Sequence, residues 1–392
     1  MKKMIRITLL TLVTLLVIIY IGVRLFLPDF IDRKQNTYPP HASAGYHVSE
    51  QANTLHQSLT IMDWHADTLM WNRNLLVAHD HGHVDLPKMH LGNVALQMFT
   101  TVTKAPNHLN FERNEATSDN ITKLAIVEGW PINTWASLKQ RALYQAEKLH
   151  EFADKSQGKL HFITSKNDLE TVLTGRTEGK DITGALLGME GAHPLEGNLD
   201  NIDVMWDAGY RMIGLTHFFD NELGSSLHGV DQAGLTDFGR EAVVKMRKKG
   251  IIIDLAHFSE QGVAEVLSFI DGGIVVSHTG FEGHCPGPRN IDDSLMKAIA
   301  AKGGLIGIGY WKPAACGDTP AAIASSIKYG IELIGADHVA LGADWDGSVE
   351  AISADKIAAI TQALLDLNVS EDNIRQVMGG SSVAFLRKWL PQ

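Results

Sequence analysis

Cysteine is nearly absent: there are two in 392 residues, which excludes a small disulfide-stapled scaffold. A basic surplus is absent too. Thirty-four Lys and Arg stand against 45 Asp and Glu, a net charge of −11, whereas proteins that grip nucleic acid through its phosphates carry the opposite balance. The 36 glycines and 12 prolines follow no period, and no internal repeat is visible, so collagen and low-complexity architectures are excluded. What remains is 45% hydrophobic and 20% charged, enough apolar chain to bury a large core and too much for a disordered one.

The first 27 residues differ from the rest. Lys2, Lys3 and Arg6 precede an uncharged apolar run of 17 residues, Ile7 to Val23. That length is at the short end of the about 17–25 residues a helix needs to span a bilayer. No small-residue cleavage pattern follows, and no cysteine for lipid attachment, so residues 1–27 read as an uncleaved signal anchor rather than a cleaved signal peptide or a buried core helix. The leading cations favour an inside N-terminus and place the bulk on the exported, periplasmic or extracytoplasmic side, although Arg33 and Lys34 beyond the run weigh against that orientation. Residues 28–47, with Pro28, Asn36, Pro39, Pro40 and Gly45, read as a linker. The folded domain is expected over 48–392.

Eight short apolar runs follow: 60–67, 93–102, 182–191, 211–218, 250–257, 273–280, 304–311 and 338–347. They are mostly continuous rather than alternating, as suits parallel strands covered on both faces. Helical patterns separate most of them, at about 137–156, 166–174, 200–208, 236–249, 259–270, 292–302, 319–335 and 353–367. Thr236 is placed to cap one of these helices and Gly250 to end it. Eight strands alternating with helices predict an α/β fold, a (β/α)₈ TIM-type barrel, with an open doubly wound sheet as the structural alternative. The long stretch 103–181 is expected to hold an inserted loop and two helices.

Barrel enzymes keep their chemistry at the strand C-termini. There the chain repeatedly places ionisable residues: His65 and Asp67, Glu190, His217, His257, His278, then Asp344 and Asp346. A single histidine after an apolar strand is an ordinary core residue, but six strands ending this way is not an ordinary pattern. Positions two apart on a strand face the same side, so His65 and Asp67 can share one metal ion. Imidazole and carboxylate suit Zn²⁺ and similar divalent ions. His65 with Asp67 would hold one ion, His257 with His278 a second, and Glu190 would lie between. Two divalent cations would balance Asp67, Glu190, Asp344 and one hydroxide. His79, His81 and His83 read as a solvated loop, Asp346 as a structural hydrogen-bonding group, and Glu196 as lying past its strand end.

These stretches are Asp63-Trp64-His65-Ala66-Asp67, Gly188-Met189-Glu190-Gly191, Leu215-Thr216-His217, Asp254-Leu255-Ala256-His257, Ser277-His278, Arg289-Asn290-Ile291-Asp292-Asp293 and Gly342-Ala343-Asp344-Trp345-Asp346-Gly347. In this order, over about 60–390, the chain resembles the membrane dipeptidase (renal dipeptidase) family of zinc peptidases on amidohydrolase-type barrels. The resemblance implies two zinc ions held by His65, Asp67, Glu190, His257 and His278. It implies Asp344 as the acid/base, and His217 and Arg289 as substrate-binding groups, with His217 also stabilising the oxyanion. The implied reaction is hydrolysis of a dipeptide, including dipeptides with a C-terminal D-residue, by a metal-bridging hydroxide. Related activities on the same metals (D-aminoacylase, lactonase, β-lactam hydrolase) and a non-catalytic membrane-anchored binding protein are the rival readings. A homodimer is expected from family analogy alone, and a bridge between Cys285 and Cys316 from family habit and exported location. Two departures stand out: Trp64 where the family more often has glycine, and the bulky Phe218-Phe219-Asp220 after His217.

Overall fold

In the computed structural model, which describes residues 2–392 without the side chains of residues 2–4, 16, 19, 20, 43 and 44, nine parallel strands form one sheet. They are β1 (Ile61–Ala66), β2 (Val94–Val102), β3 (Leu160–Phe162), β4 (Thr183–Glu190), β5 (Tyr210–Gly214), β6 (Ile252–Asp254), β7 (Ile274–Thr279), β8 (Leu305–Ile308) and β9 (Val339–Leu341). Strand β2 pairs with both β1 and β4, so eight strands close into a barrel and β3 is left outside the ring. The extra strand lies beside the start of β4 (Leu160↔Thr183 to Phe162↔Ala185), where β5 has not yet begun to pair. All eight expected strands are present. β3 was not anticipated, because a three-residue Leu-His-Phe segment carries no periodicity to read.

The strands are apolar because they are buried throughout: every residue of β2 and of β4 is enclosed. The covering helices begin where side-chain oxygens can accept a free backbone N–H. Ser137, Thr236, Ser259 and Thr319 each accept from the third residue on, a contact worth about 1 kcal/mol apiece. Gly250 ends its helix at φ 88°, a conformation that suits glycine. The stretch 103–181 holds three helices and β3 rather than two helices. Near the chain terminus, the helix Ser381–Trp389 packs at the end of the barrel where strands begin. There the Trp64 indole donates to Ser382 (2.9 Å) and meets Phe385 edge-on, so the tryptophan that departs from the family pattern points away from the candidate site.

At the other terminus a single helix runs from Lys2 to Gln35. Residues 28–35, expected as linker, continue it despite Pro28. The polar groups of that turn find partners: Arg33 pairs with Asp29 (2.7 Å), the Asn36 amide donates to Asp32 (2.7 Å), and Asp32 is buried against Arg73. Earlier in the helix Arg24 donates to the carbonyl of Val127 (2.8 Å). Among the described residues no helix is long and apolar enough to cross a membrane. Residue 1 of the expected anchor over 1–27, and the side chains of its residues 2–4, 16, 19 and 20, lie outside the description.

Candidate metal centre

The C-terminal ends of six strands deliver their ionisable groups to one buried place. Glu190, at the end of β4, is its hub. Four imidazole Nε2 atoms surround its carboxylate: His257 at 3.2 Å, His278 at 3.3 Å and His65 at 3.6 Å from one oxygen, and His217 at 3.2 Å from the other. His65 Nε2 also lies 3.4 Å from Asp67 and 4.0 Å from Asp344. Three overlapping donor sets result, each with ligand atoms within 4.8 Å of one another: His65/Glu190/His278, Glu190/His217/His257 and His65/Asp67/Asp344.

The backbone supports this convergence. His257 (φ 61°) and Asp344 (φ 58°) sit in the left-handed region just past their strands, a strained choice for residues with a Cβ and one that recurs at functional sites. Glycine is required twice nearby. A Cβ on Gly342 would lie 2.0 Å from the Ser277 carbonyl, and one on Gly347 would lie 2.2 Å from the Asp344 carboxylate. Thus the two glycines flanking Asp344 and Asp346 keep β9 close to β7 and leave room for the acid.

Hydrogen bonds aim the ligands. The Ser277 hydroxyl donates to Asp254 (2.6 Å), so its lone pairs are left to accept from Nδ1 of His65 and Nδ1 of His278, both at 3.0 Å. With Nδ1 carrying the proton, each ring turns its Nε2 toward Glu190, the orientation a metal ligand needs. His65 Nε2 is buried and has no hydrogen-bond partner. Thr100 donates to Asp67 (2.6 Å), and Asp63 accepts the backbone N–H of His65 and of Ala343 (2.9 and 2.8 Å). Of these supporting residues, Ser277, Asp63 and Asp254 stood inside the quoted motifs without an assigned role, and Thr100 had no signal at all.

The electrostatics describe a cluster with too much negative charge. Burial drives the Glu190 carboxyl well above its ordinary range, and the neighbouring Asp67 adds to this. Burial likewise pushes Asp344 up to about 7. Burial would lower His65, but Asp67, Glu190 and Asp344 prevail and hold its proton on up to about 10. A cation at that point would take over the proton's task. His257 and His278 are held neutral, well below the usual histidine range, first by burial, then by Arg289 for His257 and by His65 followed by Arg289 for His278. Neutral imidazoles and carboxylates around an orphaned buried nitrogen fit divalent metal ions.

Every expected site residue converges here. Asp67, Glu190, His217, His257, Arg289 and Asp344 line one cavity of about 450 Å³, with His65 and His278 behind them. Arg289 is buried and donates to the His278 carbonyl (2.9 Å), with its guanidinium carbon 5.2 Å above the Trp311 ring. Among the described residues no carboxylate pairs with it within 4.0 Å, although burial lowers it only to about 10 and it stays charged. The loop that bears it, after β7, is tied to the loop after β8 by a disulfide between Cys285 and Cys316. Phe218, the first bulky departure after His217, is a cavity wall, and Phe219 packs on His193.

The rival residues lie elsewhere. Glu196 is at the surface and accepts from Ser137 and Lys139. Asp346 accepts from Thr68 (2.7 Å) and from the His83 backbone (2.6 Å) and pairs with Arg73 (2.7 Å), a structural role. The loop of His79, His81 and His83 is not solvated throughout. His81 and His83 are buried because Asp32, Asp346 and the Thr37 carbonyl offer them partners.

A closed barrel with a buried imidazole–carboxylate cluster at its strand C-termini defines a metal-dependent hydrolase of the barrel type. The chain belongs to the membrane dipeptidase family (peptidase family M19), whose pattern matches residues 49–389. It is similar to Dipeptidase aclJ of Aspergillus oryzae, 27% identical over 92% of this chain and 82% of that one. It is also similar to an uncharacterized dipeptidase of Schizosaccharomyces pombe, 25% identical over 68% of this chain and 61% of the relative. Among solved structures the fold is shared with the probable dipeptidase PvdM from Pseudomonas aeruginosa (TM-score 0.72, 16% identity, 86% of this chain and 98% of that one). It is shared too with a metallo peptidase from Rhodobacter sphaeroides liganded with a phosphinate mimic of the dipeptide L-Ala-D-Ala (TM-score 0.67, 19% identity, 85% and 99%). The protein is a hydrolase of the metallo-dipeptidase type.

Proposed function

We propose that the protein is a binuclear zinc dipeptidase, and that it accepts dipeptides whose C-terminal residue is either L or D. One observation carries this reading: four imidazole nitrogens stand within 3.2–3.6 Å of the Glu190 carboxylate, beside the cavity that Asp67, Asp344 and Arg289 line, and among the described residues Arg289 pairs with no carboxylate. His65 and Asp67 would hold one ion and His257 and His278 the other, with Glu190 shared between them. Zinc bound there supplies Lewis-acid polarisation of the peptide carbonyl and lowers the pKa of a water.

The chain's own residues do the rest. Arg289 presents a planar fork to the substrate's C-terminal carboxylate, and burial removes the water that would compete. His217, pushed by burial down to about 4, is neutral at pH 7; with its proton on Nε2 rather than on the Nδ1 that lies 3.4 Å from the Lys104 carbonyl, it would donate one N–H to the substrate carbonyl oxygen as that oxygen gains charge. Asp344, at the edge of the cluster 4.0 Å from His65, would take a proton from the attacking water and give it to the leaving nitrogen. A cavity of about 450 Å³ suits a small ligand. The D-residue tolerance draws on the Rhodobacter sphaeroides structure and its L-Ala-D-Ala mimic.

For location, we propose an anchor over residues 1–27 with the barrel on the exported side. The apolar run supports this, and so does the disulfide, which suits an oxidising compartment. A homodimer is a proposal from family analogy.

The deciding experiment is metal analysis followed by hydrolysis of L-L, L-D and D-D dipeptides, N-acyl-D-amino acids, lactones and a β-lactam, each with and without chelator. Two zinc ions per chain and chelator-sensitive hydrolysis of L-L and L-D dipeptides are expected. Turnover confined to another substrate class would replace the dipeptidase reading, and a metal-free chain would end it.

A further inference from the structure

The matched family segment starts at residue 49, yet the cavity does not end there. Ile31 and Gln35, from the last turns of the N-terminal helix, line the same cavity as Glu190, His217 and Arg289. Three connections fix this helix end against the barrel. Asp32 is buried and pairs with Arg73, and Arg73 reaches on to Asp346 (2.7 Å), two residues beyond Asp344. The Asn36 side chain accepts from the Ser348 backbone (3.0 Å), and the Thr37 carbonyl accepts from the Ala351 backbone (3.2 Å). Residues 348–351 belong to the loop that follows Asp344, and Ser348 and Val349 line the cavity as well. A dangling linker would show none of this.

We infer that residues 31–37 are a built part of the substrate pocket and that Ile31 and Gln35 determine specificity, setting how large an apolar side chain the substrate's amino-terminal residue can carry. The inference rests on the dipeptidase reading above. Arg289, which would hold the substrate's carboxylate, comes from the loop after β7. Ile31 stands with Met70, Trp71, Ile121 and Leu124 beside the ends of β1 and β2, three and four strands away around the ring. A dipeptide held at Arg289 with its scissile bond at Glu190 therefore sends its amino-terminal residue toward this apolar wall. Ile31 contributes hydrocarbon to the wall, and Gln35 stands at its rim, where it is exposed. The Asp32–Arg73–Asp346 chain is the positioning device. It couples the wall to the loop bearing the acid without touching substrate.

The test uses the full chain. Wild type, Ile31→Ala, Ile31→Trp and Gln35→Trp are compared on Ala-Ala, Leu-Ala and Phe-Ala, with kcat and KM measured separately. Filling the wall with Ile31→Trp is expected to raise the KM ratio of Phe-Ala to Ala-Ala about tenfold or more, as steric discrimination in an apolar pocket allows. Ile31→Ala should lower that ratio. Gln35→Trp changes an exposed residue and needs no repacking, so it serves if Ile31→Trp does not fold, and it should raise the ratio in the same direction. Asp32→Asn should blunt the discrimination between side chains, changing KM ratios more than kcat. If the folded Ile31→Ala and Gln35→Trp proteins both keep the wild-type KM ratios within twofold, the inference is wrong while the dipeptidase reading stands. If wild type hydrolyses none of the three peptides, the dipeptidase reading fails first and takes the inference with it.

Discussion

Asp344 and Arg289 are the residues whose chemistry is easiest to separate from metal holding. Asp344 lies 4.0 Å from His65 at the edge of the cluster, and burial holds its carboxyl near 7. Asp344→Asn keeps the shape and removes the proton carrier, so kcat should fall by about 10²- to 10⁴-fold. Elemental analysis should find the metal content of the variant unchanged, and loss of metal together with activity would make Asp344 a ligand first. Arg289→Ala should raise KM about tenfold or more for free dipeptides and far less for their C-terminal amides, because a charge-assisted bond is worth about 1.5–3 kcal/mol. Equal losses on both substrates would remove the carboxylate from the account. Ser277 has a subtler part. Its hydroxyl donates to Asp254 and accepts from the imidazoles of His65 and His278, the proposed ligands, so Ser277→Ala frees both rings to take the wrong tautomer. Metal affinity measured by competition with a chelator should weaken about 10- to 100-fold.

At the scale of elements, the seam between the N-terminal helix and the helix Ile121–Glu128 contains a buried acid. Glu128 accepts the Asn72 backbone N–H (2.8 Å), and burial lifts its carboxyl from 4.5 to about 7. The folded protein thus binds a proton that the unfolded chain has released. Its contribution is complete below about pH 4.5 and is lost as pH rises through 7. Glu128→Gln keeps an acceptor for Asn72 without the charge. Thermal melts should show the variant more stable than wild type by about 1–3 kcal/mol at pH 8, with little difference at pH 4. A gain of equal size at both pH values would assign the effect to packing. The same seam marks the limit of what the sequence discloses. Eight strands and the eight clear helices were legible, because continuous apolar runs, capping Ser and Thr, and Gly250 are local signals. The reach of the helix through Pro28 was not, since it depends on Arg73 and Asp346, partners that lie about 41 and 314 positions from Asp32 along the chain. All eight residues expected at the site converge there, because a strand C-terminus is a place that sequence order can name. Thr100 stayed hidden for the opposite reason: a threonine in the middle of an apolar run looks like any β-branched strand residue.

For the molecule as a whole, the cluster at the strand ends is both a site and a fault line. Asp67, Glu190 and Asp344 share one buried place, and without metal cations their repulsion is relieved by retained protons and by the charge of Arg289. Removing metal with a chelator should therefore lower the melting temperature, and zinc should restore it in a concentration-dependent way, by RT ln(1 + [L]/Kd) or about 2.7 kcal/mol at a hundredfold excess over Kd. An unchanged melt would show that the fold tolerates the empty cluster. The β2–β4 pairing that closes the ring gives this energy a wide reach, since ligands from both sides of the closure meet at Glu190.

The Cys285–Cys316 bridge spans 31 positions of the chain, and both Arg289 and Trp311, the ring beneath the guanidinium, fall within that interval. The guanidinium and its platform thus belong to one covalent macrocycle, separate from the metal cluster yet facing it. On the function proposed above, a sample's redox history therefore becomes a variable in its apparent appetite for substrate: of two batches with equal metal content, the one made where thiols stay reduced is expected to show the higher KM.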